Sequence, residues 1–275
     1  MKRILHRLIG SFINLVGYFS KEQAASIALG LFTTPLKGYI KKDQVEFLDT
    51  SFKEEFNYDK NTITTYRWPG KGKTVLLVHG WESNSYRWKD LIVRLKSSNF
   101  NIIALDAPAH GKSGGKRFTA VLYSEFLNVV IKRFKPDIII GHSAGGMASV
   151  FTLEKYKHPS VKKLVLLSSP SEFKDILSRY VKMLKLNKRV SKHLKTLIYN
   201  RFNKFPEDFS TAKSCNNISI EGLIVHDKFD EIIPFGDAIK INNTLKNSKL
   251  IPTEGNNHSL NNEEIHNHIE DYILN

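Results

Sequence analysis

Short apolar runs recur along the chain, centred on Thr74–Val78, Asn101–Asp106, Asp137–Ile140, Lys163–Leu167 and Ile220–His226. Apolar residues on both sides of the pleat fit strands buried on both faces, as the strands of a parallel sheet are. Between these runs the period changes to that of helices, over Tyr86–Ser97, Ala120–Phe134, Ala144–Tyr156 and Phe235–Leu245. A last strand at Lys249–Pro252 and a closing helix at Asn261–Leu274 complete the pattern. Upstream, two further strands are expected at Val45–Leu48 and Thr62–Trp68, separated by a polar connection through Asn57-Tyr58-Asp59. Regular alternation of strand and helix predicts an α/β fold, a mostly parallel central sheet with helices on both faces.

Two segments break that rhythm. Residues 1–32 carry apolar groups at helical spacing (Leu5, Leu8, Ile9, Phe12, Ile13, Val16, then Ala24, Ala28 and Leu31), with Lys2, Arg3 and Arg7 at the amino end. Gly10, Ser11, Asn14 and Gly17 interrupt the run, so the ~20 unbroken apolar residues of a membrane-spanning helix are missing. A basic start before a short apolar core is also the layout of an export signal, but no convincing small-x-small cleavage site stands in the right place after it. Three readings stay open: a helical arm packed on its own domain, a helix lying on a membrane surface, and an export signal. The second segment, Ser171–Lys213, has no strand candidate and reads as helices at Phe173–Leu186 and Val190–Phe202. Placed after the carboxyl end of a sheet strand, it is expected to be a lid over the mouth of a site. The expected organisation is therefore a basic arm (1–42), a first part of the core (43–170), a helical lid (171–213) and a second part of the core (214–275).

Charge reinforces this division. Of the net charge of +14, residues 1–42 hold +6 and residues 171–213 hold +7, leaving the core close to neutral. Basic appendages suit an anionic surface, membrane lipid before nucleic acid, although a solvated lysine-rich face explains the same count. No nucleic-acid motif is present, so no nucleic-acid partner is expected. A cytoplasmic location is expected, peripheral to the membrane if residues 1–42 dock there. The single cysteine, Cys215, excludes an internal disulfide and a cysteine-type metal site, and neither cofactor nor metal is expected.

The chemistry gathers on Pro136–Val150, where Gly141-His142-Ser143-Ala144-Gly145 stands between a buried strand and a helix. That G-x-S-x-G pattern fits a nucleophilic serine on a sharp turn at the positive end of a helix. A serine hydroxyl needs a base, itself oriented by a carboxylate. His258 follows the last strand and is the expected base; the loop after Ile220–His226 offers Asp230, with Asp227 and Glu231 as weaker choices for the acid. Asp227 is better placed to brace its own turn. Two backbone N–H groups are expected to receive an oxyanion, those of Ala144 and of Trp81 in His79-Gly80-Trp81. His79 and His110 are read as loop-bracing residues, and His142 is given no chemical role.

These segments resemble the α/β-hydrolase superfamily, from about Thr74 to the C-terminus: HGW at 79–81, GHSAGG at 141–146, DKFDEIIP at 227–234 and GNNHS at 255–259. DAPAHGKSGG at 106–115 is similar to the family's D-x-x-G-H-G-x-S loop, with Ala109 in place of a glycine. The resemblance implies Ser143 as nucleophile, Asp230 as acid, His258 as base and a helical cap in 171–213. It implies a carboxylic ester hydrolase, with thioesterase, acyltransferase and amidase as neighbours passing through the same acyl-enzyme. Ser143 argues against the epoxide hydrolases and dehalogenases, which carry Asp there; cofactor-free oxygenases and haloperoxidase-like members share the serine triad. A different class also fits the charge: a non-catalytic protein holding an anionic lipid or acyl ligand.

Overall fold

The computed structural model describes residues 2–275, with side chains described from Ile4 onward. They form two compact units, one of Pro35–Ser171 with Thr211–Asn275, the other of the segment through Thr34 with Glu172–Ser210. The larger unit holds eight strands: β1 (Phe52–Tyr58), β2 (Asn61–Trp68), β3 (Thr74–Val78), β4 (Asn101–Leu105), β5 (Ile138–His142), β6 (Lys163–Leu167), β7 (Glu221–Asp227) and β8 (Ser248–Thr253). Their order in the sheet is β1-β2-β4-β3-β5-β6-β7-β8. β2 is antiparallel to both neighbours, and every pair from β4 to β8 is parallel.

Side-chain alternation along the strands sorts the core into two layers. Leu76, Ile103, Ile139, Leu164 and Ile224 point to the layer that also takes residues of α5 (Ala120–Phe134), α6 (Ala144–Tyr156), α9 (Thr211–Cys215) and α10 (Phe235–Thr244). Val75, Leu77, Ile140, Val165 and Leu223 point to the opposite layer, with α3 (Lys42–Leu48), α4 (Lys89–Ser97) and α11 (Glu263–Leu274). The all-apolar runs of the sequence thus follow from burial on both faces.

Two elements differ from expectation. Val45–Leu48 lies in helix α3, which starts where the Lys41 N–H donates to Gln44 Oε1 at 3.0 Å and which packs Phe47 against Trp68. The polar connection after it is instead strand β1, paired with β2 across a turn at Asp59, whose φ is 50°. Its charged residues, Lys53, Glu54 and Glu55, belong to an edge strand, where charge blunts pairing with other chains.

The smaller unit contains α1 (Lys2–Phe19), α2 (Lys21–Thr33), α7 (Phe173–Leu184) and α8 (Lys188–Phe202). What the sequence presents as one helical stretch is broken at Ser20, whose hydroxyl accepts from the Gln23 N–H and caps α2. Ile13, Ala24, Ala25, Ala28, Leu177, Leu184, Val190 and Leu194 share one core, and the Tyr180 hydroxyl donates to the Ala28 carbonyl at 2.8 Å. Segments about 150 residues apart in sequence therefore complete each other's apolar faces, which neither could bury alone.

Ile139 is fully buried in β5 between β3 and β6. Ile139→Ala is expected to cost about 2–5 kcal/mol, whereas Val93→Ala, on the exposed side of α4, should stay within about 0.5 kcal/mol. Denaturant midpoints of the two variants check this, and equal midpoints would refute the assignment of β5 to the centre of the core.

Candidate active site

β5 ends at His142 and α6 begins at Ala144, which leaves Ser143 alone on the turn. Its backbone sits at φ 52° and ψ −125°, a conformation costing a non-glycine residue about 1–3 kcal/mol. The surroundings impose it. The Ser143 N–H donates to the Leu167 carbonyl at 2.8 Å, tying the turn to the end of β6. A Cβ on Gly145 would collide with the carbonyl oxygens of Val78 and His79, and one on Gly146 with the Ser169 hydroxyl, so the start of α6 lies hard against the carboxyl ends of β3 and β6.

Ser143 Oγ lies 3.0 Å from His258 Nε2, and His258 Nδ1 lies 2.7 Å from Asp230 Oδ2. An ionised carboxylate can only accept, so the proton belongs on Nδ1, and the Nε2 lone pair faces the serine hydroxyl. Burial alone would raise the Asp230 carboxyl. Hydrogen bonds from His226 and His258 and the Ile233 N–H outweigh it and hold the group far below the ordinary carboxylate range. Asp230 is sealed from solvent, while the His258 side chain stays 17% exposed. Asp227 accepts from the N–H groups of Phe229 and Asn256, at 2.9 and 2.7 Å, which braces the two loops and leaves it off the imidazole. Glu231 is exposed.

Sequence reasoning missed Arg87 and undervalued His142. Arg87 Nη1 lies 2.9 Å from His142 Nδ1, and His142 Nε2 lies 2.9 Å from the His258 carbonyl oxygen. A guanidinium can only donate, so His142 accepts at Nδ1 and its Nε2–H donates to the backbone of His258. Burial, then the neighbouring Arg87, holds His142 well below the usual histidine range and keeps it neutral. Arg87 also donates from Nη2 to the Ser259 carbonyl at 2.9 Å; burial pulls it down to about 9, still cationic at neutral pH. Arg87 falls on the polar side of a helical pattern, and no local signal shows that it reaches a loop 172 residues away.

His79 and His110 brace loops. His79 accepts from the Ala107 N–H at 2.9 Å, and His110 from the Glu82 N–H at 2.9 Å. Buried Asp106 accepts from the Ser85 N–H and hydroxyl and from the Lys112 N–H. Trp81 stands in the loop after β3, edge-on to Phe118 and His110. A Cβ on Gly80 would lie 2.9 Å from Ser143 Cβ, so this loop abuts the serine. Among the described residues no three His, Cys, Asp or Glu are grouped to hold a metal ion.

The family model described as alpha/beta hydrolase fold matches residues 73–210, half of the chain. The chain belongs to this family. This α/β hydrolase is 36% identical over 83 residues to a pimeloyl-[acyl-carrier protein] methyl ester esterase of Proteus mirabilis, covering 29% of the chain and 31% of that protein. It is 30% identical over 93 residues to an esterase of Mycobacterium tuberculosis, covering 32% and 30%. The matched part thus spans about a third of the length of each relative. Among solved structures, an esterase from Exiguobacterium antarcticum superposes with a TM-score of 0.63 at 19% identity, over 79% of this chain and 97% of its own. A mouse alpha/beta hydrolase domain-containing protein superposes at 0.63 and 15%, over 82% and 97%. At such identities these likenesses establish the fold.

Two outcomes are expected from this geometry. Arg87→Met should loosen the loop at 256–260, seen as faster amide exchange there than at β5; unchanged exchange would show that the guanidinium is not an anchor. Asp230 binds protons less readily folded than unfolded, so its ionised form stabilises the protein above the ordinary carboxylate range and loses that contribution as pH falls below it. The stability gap between wild type and Asp230→Asn should accordingly be widest near neutrality and narrow towards strong acid in pH-dependent thermal melts. A gap that widens on acidification would contradict this.

Proposed function

We propose that this α/β hydrolase cleaves a carboxylic ester through an acyl-enzyme on Ser143. The observation that carries the reading is the relay of 3.0 and 2.7 Å from Ser143 through His258 to Asp230. As Ser143 Oγ attacks the ester carbonyl carbon, His258 Nε2 takes the hydroxyl proton. Asp230 stabilises the imidazolium and fixes its orientation. The backbone N–H groups of Ala144 and Trp81 receive the tetrahedral oxyanion. Collapse expels the alcohol, which leaves with the proton from His258. Water, deprotonated by the same imidazole, then attacks the acyl carbon, and the carboxylic acid departs with the serine restored. Both curated relatives carry the name esterase, which supports an oxygen ester as the bond cleaved.

Incubation with a fluorophosphonate should label Ser143, and p-nitrophenyl esters of graded acyl length should turn over. Ser143→Ala should lower kcat at least about 10³-fold with thermal stability close to wild type. Absence of both labelling and turnover in folded wild-type protein would end the reading. Acyl thioesters assayed in parallel, with hydrolysis exceeding that of matched oxygen esters, would move the substrate to the thioester class.

A further inference from the structure

Helix α1 is apolar on two opposite sides. Towards its own unit it presents Ile13, fully buried, and Gly10, where a Cβ would collide with the Leu184 carbonyl. The other side carries Ile4, Leu8, Phe12, Leu15 and Phe19, between 57% and 79% exposed. Steps of four, four, three and four residues set these side chains on one stripe of roughly 100°, bordered by exposed Leu5. None of them joins the core of the unit. A contiguous apolar surface of this kind marks an interaction site.

Charge beside the stripe says what it meets. Asn14 Nδ2 donates to the Lys185 carbonyl at 3.0 Å, and Asn14 Oδ1 accepts from the Asn187 N–H at 2.9 Å. These bonds pin the turn between α7 and α8 along one flank of α1, so that exposed Lys182, Lys185, Lys188 and Arg189 stand beside it. Arg7, two helical turns before Asn14 and also exposed, lies on the same edge. The whole unit carries fourteen Lys and Arg against five Asp and Glu, so +9 of the chain's +14 sits here. A second copy meeting this surface would bring like charge against like, which opposes self-docking. No helix among the described residues is long and apolar enough to cross a membrane. A short amphipathic helix with Leu and Phe outward and Lys and Arg at its border has the chemistry to lie in the plane of a bilayer surface.

We propose that α1 seats its outer stripe in the surface of an anionic membrane, with the basic turn at Lys185–Arg189 over the lipid headgroups. Flotation of the full-length protein with phosphatidylcholine vesicles, with and without phosphatidylglycerol, tests this without relying on turnover, so its result is separate from that of the ester assay. Wild type should float with the anionic vesicles and be released by added salt. Lys185→Gln with Lys188→Gln should weaken binding to the anionic vesicles about thirtyfold and leave any binding to neutral vesicles unchanged. Leu8→Glu with Phe12→Glu should abolish flotation on both. If circular dichroism shows that pair to be unfolded, Phe12→Ser with Phe19→Ser replaces it, with the same expectation. Wild type that stays at the bottom with anionic vesicles, or a folded stripe variant that floats like wild type, overturns the proposal. So does a wild-type dimer, seen by light scattering, that the stripe variant converts to monomer while neither floats.

Discussion

The hydrogen bond from Ser143 to His258 joins two loops that lie 115 residues apart, and it cannot by itself hold the second in place. Ordering one residue's backbone costs about 1–2 kcal/mol, while an intramolecular hydrogen bond returns about 0.5–1.5 kcal/mol. The loop that carries His258 is fixed elsewhere. Leu260 is sunk in the core, the Asn256 N–H donates to Asp227, and the carbonyls of His258 and Ser259 accept from His142 and Arg87. His142 directly precedes Ser143 in the chain. The strand end that presents the serine therefore also carries the strut that positions the imidazole, and a shift of β5 moves both together. This common footing keeps a distance of 3.0 Å from depending on the sum of many independent loop positions.

The serine turn obeys the same economy of distance. Its unfavourable backbone angles are sustained because α6 has no freedom to move away, lying against the carbonyls that end β3 and against Ser169 beyond β6. β5 is buried over its whole length, with parallel neighbours on either side. Strain at one residue is thus balanced by packing across three strands, together with the bond from the Ser143 N–H to the Leu167 carbonyl.

Legibility followed the range of the interactions. The parallel strands were readable because burial on both faces writes an unbroken apolar run into five adjacent residues. Ser143, Asp230 and His258 could be nominated because each stands in a loop just past a strand end, a local signal. Asp227 and Asp230 were separable by distance from the strand, and the Asp227 turn bond to Phe229 lies within the same loop. Where the decision was tertiary, the sequence was silent. Val45–Leu48 is too short to show a period, and Gln44 reaching back to Lys41 together with Phe47 on Trp68 settled it as helix. β1 was hidden by the charges suited to its edge position. Arg87 reaches its partners only once the end of β5 and the loop at 256–260 have come together, and the core shared by α1, α2, α7 and α8 rests on pairings that no window of sequence contains.

The distribution of side-chain size around α1 carries its own argument. Glycine inside a helix costs about 1 kcal/mol relative to alanine, and α1 has two, Gly10 and Gly17, both facing its own unit, against the Leu184 backbone and the Val190 side chain. That cost is offset only by the close approach the glycines permit. A helix whose sole task was to fill a core would reverse the pattern, with Leu and Phe inward and small or polar groups outward. Here the glycines bring the helix backbone close to its neighbours beside buried Ile13, and Leu8, Phe12, Leu15 and Phe19 point to solvent. The inner contact is satisfied without them, so the outer residues are available for a second surface, and the basic turn held by Asn14 sets the sign of the surface they suit.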